Sequence, residues 1–265
     1  MSKIRFSRKH LAIPYMLFLV LFVVFPLFLI VYYAFTDSEG HFSFSNLTMF
    51  FSNSTRVTIL INSIIIGAFN TVLCIVIGYP ISLLLSNKKY NKSGLLFLLF
   101  IMPMWINFVL RTAATRDLLY YLGIDGANYP LFSTMVGMVY NYLPFAILPM
   151  YTTMIKMDKS LIEASYDLGA NKFVTFYKTI LPMSMPGVVS AATMVFMPTM
   201  SSYVICDILG NGKVYLIGKS IQESFDNSLW NVGSFMALVM LAMIGISLLL
   251  TKNLAKEEDA RGGIW

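Results

Sequence analysis

Long apolar runs separated by short polar stretches dominate this chain. Crossing about 30 Å of hydrocarbon takes about 20 helical residues, and runs of that kind fall near residues 11–35, 57–85, 95–110, 131–155, 187–206 and 232–251. The pattern predicts an all-α membrane protein with six transmembrane helices in one domain over residues 1–265. Its longest polar interruption, 156–186, lies between the fourth and fifth spans. The third run is short and contains Pro103, which removes a backbone donor and kinks helices, so it is expected to continue irregularly toward Leu122. The first run is too long for a removed signal peptide and lacks a small-residue cleavage site, so it is read as a span.

Composition agrees with that picture, and charge orients it. Of the 265 residues, 57% are hydrophobic and 12% charged, against roughly one quarter charged in an average soluble domain. Fourteen of the 19 basic residues fall on one side of the predicted spans. They are Lys3, Arg5, Arg8 and Lys9 at the N-terminus; Lys88, Lys89 and Lys92 after the second span; Lys156, Lys159, Lys172 and Lys178 in the polar interruption; and Lys252, Lys256 and Arg261 in the tail. The other side holds Arg56, Arg111, Arg116, Lys213 and Lys219 against seven acids: Asp37, Glu39, Asp117, Asp125, Asp207, Glu223 and Asp226. Short cytoplasmic loops collect Lys and Arg, so both termini and the 156–186 segment are expected in the cytoplasm. The net charge of +6 then reflects this asymmetry and contact with anionic lipid, and a nucleic-acid partner is not expected.

Several chemistries are excluded. Cys74 and Cys206 lie in different spans without paired spacing, and read as small buried apolar residues. His10 and His41 fall on opposite sides of the membrane, so no metal site is expected. Gly212 and Gly218-Lys219-Ser220 resemble a phosphate loop, but five residues separate the glycines where that motif needs four. With no other nucleotide signature, any ATP used must be hydrolysed by another chain. None of the six runs contains Lys, Arg, Asp, Glu or His, which disfavours proton-coupled carriers, and no matching halves with broken, charged helices appear. No nucleophile stands beside a His or carboxylate partner at membrane depth, so no catalytic residue is assigned.

The 156–186 segment reads as two short helices. Ser160 three residues before Glu163 fits a capping box opening a helix at Leu161. Gly169 suits the position after its last turn, where a left-handed backbone needs no side chain. Asn171 is placed to cap a second helix carrying Phe173, Val174, Phe176 and Tyr177, and Pro182 and Pro186 are expected to close the segment before the fifth span. An interfacial amphipathic helix pair without a partner fits the same composition.

Glu163-Ala164, four further residues to Gly169, then nine residues before Thr179-Ile180-Leu181-Pro182, resembles the EAA loop of permease subunits of ATP-binding-cassette importers. Ser165 stands where a second Ala is usual, and Thr179 where Ile is usual. From Leu11 to Lys252 the chain is similar to the first permease subunit of spermidine/putrescine importers. The stretches that carry the likeness are Ile77-Gly78-Tyr79-Pro80, Met102-Pro103-Met104-Trp105, Tyr166-Asp167-Leu168-Gly169-Ala170, Leu181-Pro182-Met183-Ser184-Met185-Pro186-Gly187 and Cys206-Asp207-Ile208-Leu209-Gly210. The resemblance implies a type I ABC importer permease in a bacterial inner membrane. It implies a second homologous permease, two ATPase subunits that bind the ATP and Mg²⁺, and an extracytoplasmic polyamine-binding protein as partners. It also implies ATPase coupling through Glu163, Ala164, Asp167, Gly169, Leu181 and Pro182.

A flexible polycation needs carboxylates for its ammonium groups and aromatic faces to attract them. Asp207 follows Tyr203 by one helical turn, and Trp105, Tyr140 and Tyr142 lie in spans able to line the same passage. Asp207, Tyr203, Trp105 and Tyr140 are the substrate-passage candidates. Trp230, Glu223 and Asp226 sit in the last outer loop. The aromatics equally fit interfacial anchors, and Asp207 equally fits a solvated cap or a pair with Lys213. The same architecture carrying another solute, a stand-alone carrier or channel, and a membrane scaffold remain as alternatives.

Overall fold

The computed structural model describes residues 12–37, 39–87 and 91–262. Its helices in chain order are α1 (Ile13–Ala34), α2 (Ser45–Ser52), α3 (Ser54–Ser86), α4 (Leu95–Trp105), α5 (Phe108–Tyr121), α6 (Pro130–Met154), α7 (Lys159–Asp167), α8 (Lys172–Met200), α9 (Val204–Ile208), α10 (Ile217–Asp226) and α11 (Trp230–Gly262). Among the described residues there is no β-strand beyond one bridge between Thr36 and Phe42. Helices α1, α3, α6, α8 and the Trp230–Leu249 part of α11 are each long and apolar enough to cross a membrane, and α4 and α5, bent by 98° to one another, pass the same test only when taken together.

One element keeps to the sequence expectation and one differs from it. The third apolar run continues irregularly toward Leu122 as expected: α4 ends at Trp105, and α5 leaves it nearly at a right angle and ends at Tyr121. Pro103 shapes a last 3-10 turn in α4, and Asn107 restarts the helix, its Oδ1 accepting from the amides of Val109 (2.9 Å) and Leu110 (3.2 Å). The fifth span, expected at 187–206, is part of a helix that begins at Lys172 and ends at Met200. Pro182 and Pro186 therefore do not close a separate segment. A π turn over Phe176–Ile180 precedes Pro182, which then occupies the first turn of the following α-helical stretch, where its missing N–H costs little.

Packing gathers the chain into two units. The first takes in the described residues up to Val57 together with Ser220–Ala242. In it, Asn46 is buried and donates to the carbonyls of Ala34 (3.0 Å) and Thr36 (2.9 Å), satisfying the end of α1. Asn231 donates to the carbonyls of Thr36 and Asp37, and the rings of Phe50 and Phe235 meet at 5.6 Å. The side chains of α1 are apolar on every face and almost all outward, which suits lipid and not water.

The second unit comprises Thr58–Lys219 and the chain from Met243 onward. Its core centres on α6, whose Met138, Ala146 and Met150 pack with Cys74, Ala191, Val195, Ile205 and Leu209. Because lipid is as apolar as leucine, packing contacts and interhelical hydrogen bonds must hold such helices together. Asn70 donates to Thr199 (2.8 Å), Tyr79 and Ser184 share a bond of 2.8 Å, and Ser82 reaches the Ile147 carbonyl at 3.3 Å. Tyr142 also belongs to this core: it is buried, with its hydroxyl bonded to the Pro198 carbonyl at 3.1 Å, rather than facing a passage.

Candidate functional site

The cytoplasm-assigned segment is built from capped helix ends. Asp158, not Ser160, caps α7: its Oδ1 accepts from the Ser160 amide at 2.9 Å, so the helix starts two residues before the expected Leu161. A carboxylate already available at Asp158 leaves Ser160 as the second helical residue, supplying its backbone N–H. That bond, followed by the Ser160 side chain, holds the Asp158 carboxyl below the usual carboxylate range. At the other end Gly169 adopts φ +84°, its amide bonding the Tyr166 carbonyl (2.9 Å) while Ala170 bonds that of Ser165 (3.1 Å). This is a Schellman end, which a left-handed glycine permits without strain. Asn171 then caps α8, accepting from Phe173 (3.1 Å) and Val174 (2.9 Å). Ser165 and Thr175 share a hydroxyl bond of 3.1 Å that joins α7 to α8.

The result is a fixed turn with an outward apolar face. Leu161, Tyr166, Leu168, Phe173 and Tyr177 are all exposed, Leu168 at 88%. Glu163, Ala164, Asp167 and Gly169 are exposed as well. Glu163 also lines a cavity of about 370 Å³ with Leu83, Met154, Met157 and Ile180. Leu181 packs against the core, Pro182 is exposed, and Phe176 meets the Tyr79 ring edge-on at 5.8 Å. Since α8 runs helically from Lys172 to Met200, through a π turn at Phe176–Ile180, no loop separates this face from the fifth span.

The passage candidates fall into two pairs. Tyr203 and Asp207 are one turn apart on and just before α9, with the Asp207 amide bonded to the Tyr203 carbonyl at 3.0 Å. Trp105, at the end of α4, is 77% exposed, and Tyr140 lies on α6 beside the α4–α5 bend. Among the described residues no hydrogen bond or ring contact joins one pair to the other. Asp207 does not pair with Lys213, whose Nζ donates to the Ala127 carbonyl at 2.7 Å. Its partner is Lys219, at 2.7 Å. In the outer loop, Asp226 accepts from Gln222 (3.0 Å), and Trp230 packs against Phe225.

Arg111 and its partners were not legible as a site. The sequence places this arginine in an outer loop because the third apolar run ends at 110. In the fold it is buried on α5, inside the bent α4–α5 pair, so that pair is not free of charge. Its Nε donates to Asn141 Oδ1 (2.7 Å), Nη1 to the Pro103 carbonyl (2.6 Å) and Nη2 to the Asn141 carbonyl (3.4 Å). Asn141 Nδ2 bonds the Gly137 carbonyl (2.9 Å) and Thr112 Oγ1 (3.3 Å). The guanidinium carbon lies 5.7 Å from the Tyr140 ring centroid, so a cation already covers that face. Asn141, a polar residue within an apolar run, was the available signal.

Residues 75–257 match the family described as binding-protein-dependent transport system inner membrane component. The spermidine/putrescine transport system permease protein PotB of Haemophilus influenzae is 30% identical over 249 residues, covering 86% of this chain and 87% of that protein. PotB of Escherichia coli K12 is 30% identical over 253 residues, covering 88% and 92%. A chain of a bacterial alginate ABC transporter, crystallised with an alginate pentasaccharide-bound periplasmic protein, superposes with a TM-score of 0.72 at 11% identity, covering 94% of this chain and 93% of that one. A second structure, of a bacterial ABC transporter involved in alginate import, gives the same TM-score at 12% identity, covering 92% and 94%. At such identities the likeness is one of fold, here the type I ABC importer permease fold. The two PotB permeases and the family match agree, and the chain belongs to the inner-membrane components of binding-protein-dependent transport systems.

Proposed function

We propose that the chain is one permease half of an ATP-driven importer of polyamines such as spermidine and putrescine. The observation that carries the substrate is the 30% identity, across 86% and 88% of this chain, to permeases named for spermidine/putrescine transport. A second homologous permease completes the passage, two ATP-binding-cassette subunits bind the ATP and Mg²⁺, and an extracytoplasmic binding protein delivers the solute. The Lys and Arg distribution supports cytoplasmic termini and a cytoplasmic α7.

The exposed apolar face around Leu168, with Glu163, Ala164, Asp167 and Gly169, docks on the ATPase; Leu181 and Pro182 pass its movement into α8. Closure of the ATPase pair on ATP turns the passage outward, and hydrolysis resets it. This chain performs no covalent step. Asp207 and Tyr203 supply carboxylate and aromatic contacts to the passing cation, with Trp105 and Tyr140 on the wall.

The test is ATP-dependent uptake of radiolabelled spermidine into proteoliposomes holding this chain with its co-purifying partners. Uptake is expected in the wild type and is expected to vanish in Glu163→Ala with expression unchanged. Absence of spermidine uptake, alongside ATPase stimulation by a different solute, overturns the polyamine assignment and leaves the importer architecture.

A further inference from the structure

The surroundings of Lys219 have the chemistry of a primary-ammonium site. Its Nζ lies 2.7 Å from Asp207 Oδ1, donates to the Gly212 carbonyl at 3.0 Å and stands 4.4 Å from the centroid of the Tyr215 ring. Carboxylate, carbonyl and aromatic face are three groups that bind an alkylammonium ion once it has shed most of its water. The enclosure is one-sided. The Lys219 side chain is 5% exposed, whereas that of Asp207 is 50% exposed. Beyond its Cα, lysine is an n-butylammonium ion on a tether.

We propose that Asp207, the Gly212 carbonyl and Tyr215 form a primary-alkylammonium site that Lys219 fills in this conformation and vacates when an ammonium group of the passing solute takes its place. That the solute is a polyamine rests on the function proposed above; the site itself does not.

Stability alone gives little reason for this arrangement. A pair with a half-exposed carboxylate adds little, while enclosing an ammonium has a desolvation cost. Exchange gives a reason. The outward half of Asp207 meets an incoming ammonium before Lys219 departs, and like replaces like, so the carboxylate is not left unpaired at any stage. Such an exchange is close to balanced in free energy, which lets the site release what it has bound. The backbone supports a departure by the side chain alone. A Cβ on Gly218 would stand 2.3 Å from the Ser201 carbonyl oxygen, so only glycine permits the start of α10 to press against Ser201 and fix the Cα next to it.

The experiment uses the purified full complex. Lys219→Ala removes a propylammonium-sized piece, and propylammonium chloride is the probe. The expected result is a thermal inactivation midpoint that rises by several degrees and saturates with propylammonium, not with propanol or sodium chloride, and that does not move when Asp207→Asn is added. A midpoint that stays put, or that rises equally in the double variant, overturns the site. In the wild type, acylation of Lys219 by an amine-reactive reagent is read by mass spectrometry as a ratio to the exposed Lys172 of the same sample, because n-butylamine consumes reagent for both; the ratio is expected to increase severalfold with n-butylammonium present, and an unchanged ratio overturns the exchange without relying on any variant. Spermidine uptake reads the polyamine assignment separately, so either idea can fail while the other stands.

Discussion

Replacing Arg111 by methionine keeps the stem of the side chain as far as the Nε position and removes its charge and all its donors. Two of its bonds are short, to Asn141 Oδ1 (2.7 Å) and to the Pro103 carbonyl (2.6 Å), and the third, at 3.4 Å, is weak. Hydrogen bonds to a charged group contribute about 1.5–3 kcal/mol each, so the two short ones sum to about 3–6 kcal/mol. Release of a buried guanidinium from its desolvation cost offsets part of that sum, but methionine leaves the buried Asn141 Oδ1 without its donor at about 1–3 kcal/mol, while the Pro103 carbonyl keeps the Ile106 amide at 3.2 Å. The expected loss is about 3 kcal/mol. Arg111→Lys should lose about half as much, because one ammonium cannot span both acceptors as the planar fork does. The assay is thermal inactivation of the purified complex in a double-mutant cycle with Asn141→Ala. The pair should couple strongly, the double variant being little worse than Arg111→Met alone. Wild-type thermostability in Arg111→Met, or additive losses in the cycle, would show that the guanidinium does not hold the bend.

Three further outcomes are expected. Gly169→Val forces a β-branched residue to φ +84°, a cost of about 1–2 kcal/mol; it should open the Schellman end, release amide protons around Tyr166 to exchange, and lower solute-stimulated ATPase activity while insertion stays normal. Asp158 has its folded-state pKa depressed by the Ser160 amide. Its capping contribution is therefore present above the ordinary carboxylate value and lost as pH falls through the lowered one. Exchange protection at the start of α7 should fall in acid for the wild type and stay flat in Asp158→Asn, which keeps the acceptor but cannot titrate. Ser190→Gly combined with Thr193→Gly, near the middle of α8, should reduce solute transported per ATP hydrolysed without abolishing either activity; an unchanged ratio would show that α8 is not the transmitting element.

Hydropathy reads the spans well because lipid contact demands apolar side chains on whole helical turns, and α1, α3, α6 and α11 are such helices. It fails where a polar residue is buried by the protein rather than excluded by the membrane. Arg111 looks like the end of a run because its charge is counted and its partners, 30 residues away on α6, are not. The cap of α7 slipped by two residues because Asp158 and Ser160 are both good cap formers, and only the backbone path decides which one reaches the free amides. Pro182 reads as a stop signal, yet it stands in the first turn of the stretch that follows a π turn, where its missing N–H costs little. The pairing of Asp207 with Lys219 rather than Lys213 depends on the path of the Gly210–Leu216 connection, which carries no periodic signal. The exposed turn between α7 and α8 was legible because glycine and asparagine at fixed offsets have few other reasons to stand there.

Hydrogen bonds between α3 and α8 occur at two levels, Tyr79 with Ser184 and Asn70 with Thr199. Fifteen residues separate Ser184 from Thr199 on α8 and nine separate Asn70 from Tyr79 on α3, about 22 Å and about 14 Å along the two helices. Two helices pinned at two such levels cannot slide or tilt against one another without breaking a bond, so they travel as a pair. A displacement entering at Phe173, on the capped first turn of α8, therefore reaches Thr199 with its direction kept. The helix stops at Met200, and Ser201–Tyr203 is the first place where the chain can change direction. Asp207 follows on α9, while Lys219 sits on α10 beyond a separate connection. The joint thus stands between the lever and one side of a 2.7 Å ion pair, where a shift of about 1 Å is enough to alter a hydrogen bond. The exposed face around Leu168 and the Asp207–Lys219 pair are linked through one helix and one short break.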